Sequence, residues 1–555
     1  MGQSRTTGAS GVEPGSIEAN MVREFRQILI WPVQLAPTYG TPGPPTHWQR
    51  LAASDSPWSE VRDEFVGAPG DFQERHYCEF VTFMPDVQRF LYGERMGSAA
   101  DGREPAALRV FRRRDVTHAA VTLRRGDEPI RLEVARAELC FFYDIDQAIL
   151  AVEVVGRELT LEQVQQLLFR FGRAYPKGWN VGGDGAHCCA SVDLLAADGT
   201  VLARSDYERK DEFLAHVSAH RAPRLAAHWA FLLEPLVPHH GAEAGSIRYV
   251  LLDHQRVPLL AYLAIDDPFA ITREDWVRLG LASGPGGAGA TPYASGFFDD
   301  FEKRHCYDRF WNGDRSDRQT VTRIISTGQT FIMVGEASSR TYTDHETGIL
   351  SQFRHQYFLI GLIAHFHRAA LLIFRDNLVG AIGGLRDYSA ETVKRFKREI
   401  RLTHENFLRF THRYWFQEVS AQPVAQDLFM LWLTHLGTEH LFAEVREEVQ
   451  DMMDYLDSDG LRRQANTVVR LTVVTFFGLI GTVATGFLGM NLIDLTKVSL
   501  LEKTGYLMAV LVPAALLTFY TAAKSQRLAE FLDAMSDERR SARLKWRAFM
   551  RVWQK

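Results

Sequence analysis

Cysteine is scarce, with five residues in 555 (Cys78, Cys140, Cys188, Cys189 and Cys306) and no repeated spacing among them. An odd, scattered set argues against a disulfide framework and for reduced thiols on the cytosolic side. An excess of either charge is also lacking. Lys plus Arg number 63 against 68 Asp plus Glu, a net charge of -5, so nothing suggests a nucleic-acid partner. No apolar segment follows Met1, so no signal peptide is expected, and the N-terminal part is expected to stay where it is made. Met1-Gly2 with Thr6 fits the myristoylation pattern, a match short enough to arise by chance. The markers of chemistry are missing too. Gly182-Gly183-Asp184-Gly185 lacks the Lys-Ser/Thr of a phosphate loop. His187-Cys188-Cys189 has no second half at zinc spacing, and His216 and His220 form a bare i, i+4 pair. Without a nucleophile, base or cofactor constellation, neither an enzyme nor a bound cofactor is expected.

What the chain does have is two charge-free apolar runs near its end. Leu471 to Ile493 has 23 residues and Thr504 to Ala523 has 20, and only Asp494 to Lys503 lies between them. At about 1.5 Å of rise per residue, each run can cross roughly 30 Å of hydrocarbon. Inside a bilayer the backbone must satisfy its own hydrogen bonds, so both are expected to be transmembrane helices. A buried soluble hairpin is the alternative. Arg462, Arg463 and Arg470 precede the first run, and Lys524 and Arg527 follow the second. The positive-inside rule then puts both termini in the cytoplasm of a multi-pass inner-membrane protein.

The first run ends in Phe487-Leu488-Gly489-Met490-Asn491. Here the chain resembles the CorA-type family of divalent metal ion transporters, whose signature is Gly-Met-Asn at the end of the first of two C-terminal membrane helices. The resemblance covers about Gln426 to Lys524. It implies a homo-oligomer, a pentamer, in which the first membrane helix lines the pore and the second lies outside. It also implies that Gly489, Met490 and Asn491 form the selectivity ring at the pore mouth, with Asn491 meeting a hydrated ion. Leu471 falls where relatives have a hydrophobic constriction. The transported cation would be Mg²⁺, with Zn²⁺, Co²⁺ or Ni²⁺ as alternatives. One departure stands out. Relatives carry an aromatic residue and a Met-Pro-Glu element after the motif, and this chain has Leu492-Ile493-Asp494-Leu495-Thr496-Lys497. Its outer loop is therefore neutral and concentrates cations less than an acidic one would.

The residues of the first run suit a pore in their own right. Mg²⁺ sheds water reluctantly and prefers oxygen ligands, so neutral oxygens that hold the water shell are needed. Thr472, Thr475, Leu479, Thr482 and Gly486 recur every three or four residues and trace one helical face. Pore-lining roles are assigned to Thr475, Leu479, Thr482 and Gly486 beside Leu471. Small residues also allow helices to pack closely in membranes, which is the competing reading of the stripe. The acidic stretch Glu439, Glu444, Glu447, Glu448, Asp451, Asp454, Asp457 and Asp459 is either a solvated face or a regulatory cation site.

The expected organisation is an α/β (or α+β) N-terminal cytosolic domain, long stalk helices and two C-terminal transmembrane helices. In residues this is a tail (1–20), the cytosolic domain (21–345), a helical bundle and stalk (346–470), the first transmembrane helix (471–493), an outer loop (494–503), the second transmembrane helix (504–523) and a basic cytosolic tail (524–555). Phe25 to Leu35 reads as a strand, placed at a sheet edge by Pro32. Leu108–Phe111, Ala119–Leu123, Ile130–Val134, Leu139–Tyr143 and Ala148–Val155 also read as strands. Thr160 to Tyr175 is amphipathic and Asp211 to Leu233 helical. Ile247–Leu252 and Leu259–Ala264 read as a strand pair, and Val321 to Val334 as two more strands. Phe353 to Phe374 is apolar but carries Arg354, His355, His365, His367 and Arg368, so it reads as a buried helix rather than a third span. Ala390 to Glu418 is a helix with one basic face. From Ala425 a single helix is expected to run into the membrane, interrupted by nothing except Gly460. The rival functional reading is a membrane-anchored cytosolic sensor or scaffold that has lost conduction.

Overall fold

The computed structural model of the chain describes residues 20–36, 47–53, 56–61, 74–95, 103–104, 106–241, 247–252, 255–286, 293–313, 321–383, 390–489 and 499–523. The chain divides into two compact units, Met1–Val449 and Gln450–Lys555. The first is a mixed α/β structure built on one 14-stranded sheet.

The sheet grows outward from its first strand, β1 (Met21–Leu35). The other main strands are β2 (Leu108–Arg113), β3 (His118–Thr122), β4 (Ile130–Phe142), β5 (Gln147–Thr160), β6 (Ser191–Leu195), β7 (Val201–Arg204), β8 (Ile247–Leu251), β9 (Leu259–Ile265), β10 (Arg323–Ser326) and β11 (Thr330–Glu336). Their main path runs β7-β6-β3-β4-β5-β1-β9-β11-β10, antiparallel except where β9 meets β11. β5 pairs with β1 along almost its whole length, from Met21 opposite Thr160 to Gln34 opposite Gln147. Its run Ala148-Ile149-Leu150-Ala151-Val152 is apolar without alternation because both faces of the sheet are covered.

β1 is therefore central, which corrects its expected place at an edge. Pro32 is tolerated for a local reason. Ile30 N–H donates to Pro258 O at 2.9 Å, so two residues on, the ring nitrogen of Pro32 faces the same side. There β1 passes from β9, whose last paired residue is Leu259, to β8, whose pairing begins at Val33. The missing donor falls in the gap between two partners. The same arrangement corrects β8 and β9, which do not pair with each other. Both add end to end to one side of β1. β4 is one strand where two were expected, because a register shift between Val134 and Arg136 breaks its alternation. The helical stretch Asp211 to Leu233 is split by Arg221, which adopts a left-handed φ of 55°.

Helices α1 (Leu161–Arg170), α2 (Lys210–His220), α3 (Ala227–Leu233), α4 (Arg273–Leu281) and α5 (Ser295–His305) precede the last two strands. α1 starts at a capping box, in which Thr160 and Gln163 satisfy each other's backbone N–H groups. Its Val164, Leu167 and Leu168 pack with Leu29, Trp31, Trp229 and Trp276 in the core on one face of the sheet. The opposite face is covered by a helical run from Ile349 to Gly383, π-helical at Phe353–Tyr357 and labelled α6 over Phe358–Gly383. Phe366 stacks on Phe142 at 4.2 Å, and Phe331 stacks at the same distance on Trp432 of α8 (Pro423–Leu436). At Gly361 an added Cβ would lie 3.2 Å from the Trp432 ring, so the missing side chain lets α6 approach α8 closely. Ile349–Gly383 is long and apolar enough to cross a membrane, but 83% of its apolar window is buried inside the fold. It is the core helix its charged residues suggested.

α7 (Ala390–Arg413) buries Phe396, Ile400, Phe407 and Phe410 and leaves Lys394, Arg398, Arg401, Arg409 and Arg413 exposed. The single helix expected from Ala425 is broken at Gly437, ahead of α9 (Thr438–Gly489). Gly437 has φ 64°, and its N–H donates to the Leu433 and Thr434 carbonyls, ending α8 in a left-handed cap. Arg368 Nη1 takes the Leu436 carbonyl at 2.6 Å and fixes the break from the side. Gly460, the expected interruption, lies within α9.

Candidate functional site

The second unit contains the residues singled out for ion passage. α9 carries the first apolar run to Gly489, and α10 (Leu500–Ala523) carries the second. α10 begins four residues before its apolar run because Ser499 and Glu502 form a cap. The Glu502 carboxylate accepts from both the Ser499 N–H and its hydroxyl at 3.1 Å. Glu502 is one of the two acidic groups nearest the Gly-Met-Asn motif, and its charge is engaged in starting a helix. Pro513 lies inside α10 and removes one backbone donor there.

Large apolar side chains on both helices stand free. Val468 is 61% exposed, Leu471 66%, Val474 67%, Leu511 50% and Leu516 64%. Several large apolar side chains this exposed on a lone chain are what a lipid or protein neighbour would cover.

Leu471, Thr475, Leu479, Thr482, Gly486 and Gly489 fall within an arc of roughly 80° at 3.6 residues per turn. The backbone of α9 thus brings the predicted stripe onto one face. Met490 and Asn491 lie outside the described residues, as does the side chain of Leu479. The threonines share one local arrangement. Thr472, Thr475, Thr482 and Thr485 each donate the hydroxyl proton to the carbonyl four residues back, at 2.7 to 2.9 Å. With its proton committed, each oxygen keeps lone pairs as acceptors. Such an oxygen can take a hydrogen bond from water but cannot offer one.

The acidic stretch is not gathered into a site. Leu441, Val445 and Val449 turn inward, while Glu439, Glu447, Asp451, Asp454 and Asp457 are exposed. Among the described residues no group of three His, Cys, Asp or Glu could hold a metal.

Cys188 and Cys189 are core residues, and burial pushes the Cys188 thiol up to about 12, so it is protonated and a poor metal ligand. The His216 and His220 rings are 4.6 Å apart on α2. Asp184 of the Gly-rich segment pairs with Arg125 at 2.8 Å. Two groups escaped the sequence reading. One is Glu153 of β5, fully buried among Arg26, Arg136 and Arg354. The other is a set of basic side chains around Phe169, treated below. Their members are far apart in sequence, and only the odd charge inside an apolar strand, Glu153 in Ala151-Val152-Glu153-Val154-Val155, could have flagged one of them. No family model, curated protein or solved structure matches this chain.

Proposed function

We propose that the chain is one subunit of a membrane channel or transporter for hydrated divalent cations, Mg²⁺ first, with α9 facing the path in a homo-oligomer. The observation that carries this reading is the pair of C-terminal helices whose large apolar side chains stand exposed on the lone chain. Lipid on one side and sister copies on another would cover them. Resemblance to the CorA-type family supports a pentamer and the role of Gly489, Met490 and Asn491.

The threonine stripe suits the cargo chemically. A hydrated Mg²⁺ holds its water tightly, and those waters point their protons outward. Threonine oxygens whose own protons are tied to the backbone present only acceptors to that shell. They would hold the hydrated ion without stripping it and without the tight grip of a carboxylate. No covalent chemistry is required.

The test is influx of Mg²⁺ and Zn²⁺ into liposomes carrying the purified protein, wild type beside Asn491→Ala. The expected result is saturable influx that falls at least about tenfold in the variant, equivalent to roughly 1.4 kcal/mol of barrier. Equal influx in both would sink the pore assignment.

The second reading is an anchored sensor or scaffold that conducts nothing. The capping of Ser499 by Glu502 favours it, since that removes a free carboxylate from a loop already neutral. It would be adopted if folded, oligomeric protein passed neither ion. Both readings share one expectation, that a chain ended at Val449 moves from the membrane pellet to the soluble fraction on cell lysis. A truncated chain that stayed with the membrane through a carbonate wash would reject both.

A further inference from the structure

The end of α1 gathers positive charge that no ion pair among the described residues neutralises. Phe169 is the centre of the group. Arg173 lies over its ring at 5.0 Å, Arg170 at 5.7 Å, and the His187 ring is 5.1 Å away. Arg256 joins from a distant part of the chain. Val257 N–H donates to Gly172 O and Ala174 N–H to Gln255 O, so Arg173 and Arg256 face each other in a short antiparallel bridge. Lys177 stands exposed four residues beyond Arg173.

Some of these donors have local work. Arg170 Nε bonds Gln166 and its Nη1 takes the Cys188 carbonyl at 2.8 Å. Arg173 Nε takes the Phe169 carbonyl at 2.9 Å, as basic residues at helix C-termini commonly do. Arg256 Nη1 takes the Leu281 carbonyl at 2.8 Å. What remains is unusual. Arg256 Nε and Nη2 are both buried and have no hydrogen-bond partner among the described residues, and neither has the neighbouring Gln255 Nε2. Arg173 is 7% exposed. Among the described residues, no carboxylate forms an ion pair with Arg170, Arg173, Arg256 or Lys177. Asp127 is felt weakly at Arg170, where Arg124 opposes it. Burial, with the Arg173 charge added, pulls Arg256 down to about 10, which still leaves it charged at neutral pH.

A buried guanidinium with free donors and no counter-ion is expensive, and folded proteins rarely leave one so. Several other buried or half-buried arginines in this chain do have counter-ions. Arg26, Arg136 and Arg354 share Glu153, and Arg323 has Asp308. Among the described residues Arg256 has no such partner, and an anion from outside would supply one. Three guanidinium forks and an ammonium exceed what a single carboxylate would balance. They match the charge and multiple oxygens of a phosphoryl group.

We propose that Arg170, Arg173 and Arg256, with Lys177 at the rim, form a binding site for a soluble phosphoryl-bearing small molecule. The site lies in the first unit, and it does not depend on whether the C-terminal helices conduct ions.

Inorganic pyrophosphate is the probe, titrated into the purified full-length protein at constant ionic strength and followed by calorimetry and thermal unfolding. Wild type is expected to bind saturably and to unfold at a higher temperature with the probe. Arg256→Gln should weaken binding about thirtyfold or more, the usual loss when one partner of a buried charge-assisted pair is removed. Without the probe, the same variant should unfold no earlier than wild type, because it removes an uncompensated buried charge. That second readout separates a ligand site from a structural arginine, whose loss would lower the unfolding temperature and leave binding alone. Arg170→Gln, at a half-buried position, should also weaken binding and decides the matter if Arg256→Gln does not fold. The idea is overturned if wild type shows no saturable binding, or if whichever variants fold bind as wild type does.

Discussion

Glu153→Ala is expected to destabilise the first unit by about 3–5 kcal/mol, the range found when one member of a buried ion pair is removed and its partners remain. Glu153 is 0% exposed and sits in the middle of β5. Its Oε1 receives Arg26 Nη1 at 2.9 Å and Arg354 Nε at 3.2 Å, and Arg136 Nε lies 2.9 Å from Oε2 in ionic contact. Burial alone would raise the Glu153 carboxyl, but Arg136, Arg354 and Arg26 together hold it below its ordinary value. With the carboxylate gone, three guanidinium groups would crowd one pocket. Among the described residues, only Arg26 keeps a carboxylate of its own, Glu24 at 2.7 Å. The cluster also joins two layers, since Arg354 comes from the helical run over the sheet and its carbonyl accepts Arg136 Nη2 at 2.8 Å. Urea unfolding of the first unit's fluorescence should show the loss as a lower midpoint. Combining Glu153→Ala with Arg354→Met should recover part of it, because the second change removes one uncompensated charge. A single-variant loss under about 1 kcal/mol would mean that water reaches the cluster and screens it.

The sheet was legible where burial writes a simple pattern. The apolar run of β5 and the one-sided Val164, Leu167 and Leu168 of α1 declare themselves because each meets a single continuous neighbour. The errors fall where a local rule met a particular tertiary exception. Proline marks an edge in general, yet Pro32 sits in mid-sheet because two strands share one side of β1. The bulge at Val134 to Arg136 made one strand read as two. Gly437 was passed over because apolar residues continue on both sides of it, although Gly437-Thr438 is an ordinary stop and restart signal. Ser499-Leu500-Leu501-Glu502 is likewise a legible capping box, hidden by attention to where the charge-free run begins. The candidate stripe on α9 was readable because helical spacing is local. The Arg173–Arg256 bridge was not, since about eighty residues separate its members and nothing in either neighbourhood names the other.

Mild acid is expected to destabilise the first unit strongly. His228, His365 and His367 are buried, at 0%, 1% and 0% exposure. Burial pushes His228 and His365 down to about 3, the latter with help from Arg368. It takes His367 down to about 4, against the upward pull of its hydrogen bond to the Tyr414 carbonyl. In the unfolded chain each would titrate near its ordinary value of about 6.5. Between that value and the folded one, the unfolded state binds protons that the folded state refuses. Stability therefore falls as pH falls from about 6.5, with a slope that approaches 1.4 kcal/mol per pH unit for each histidine. Three together approach about 4 kcal/mol per unit, and a domain's whole stability is about 5–15 kcal/mol. The unfolding temperature should drop steadily from pH 7, and by pH 5 the loss reaches about 6 kcal/mol, a large share of that stability. Glu153 does not contribute in this window. Its carboxyl titrates below the ordinary 4.5, so its share is lost only in stronger acid. His365→Leu isolates the cause, because both ring nitrogens of His365 lack partners among the described residues and an apolar side chain of similar size suits the site. That variant should be no less stable at pH 7.5 and should lose about a third of the pH slope. An unfolding temperature that stayed level between pH 7 and 5 would show that the histidines gain protons without opening the core. The expectation also constrains the transport assay. Under the proposed transport function, a proton gradient that acidifies the compartment facing the first unit would reduce influx by destabilising that unit, so ion selectivity has to be read with that side held near pH 7.5.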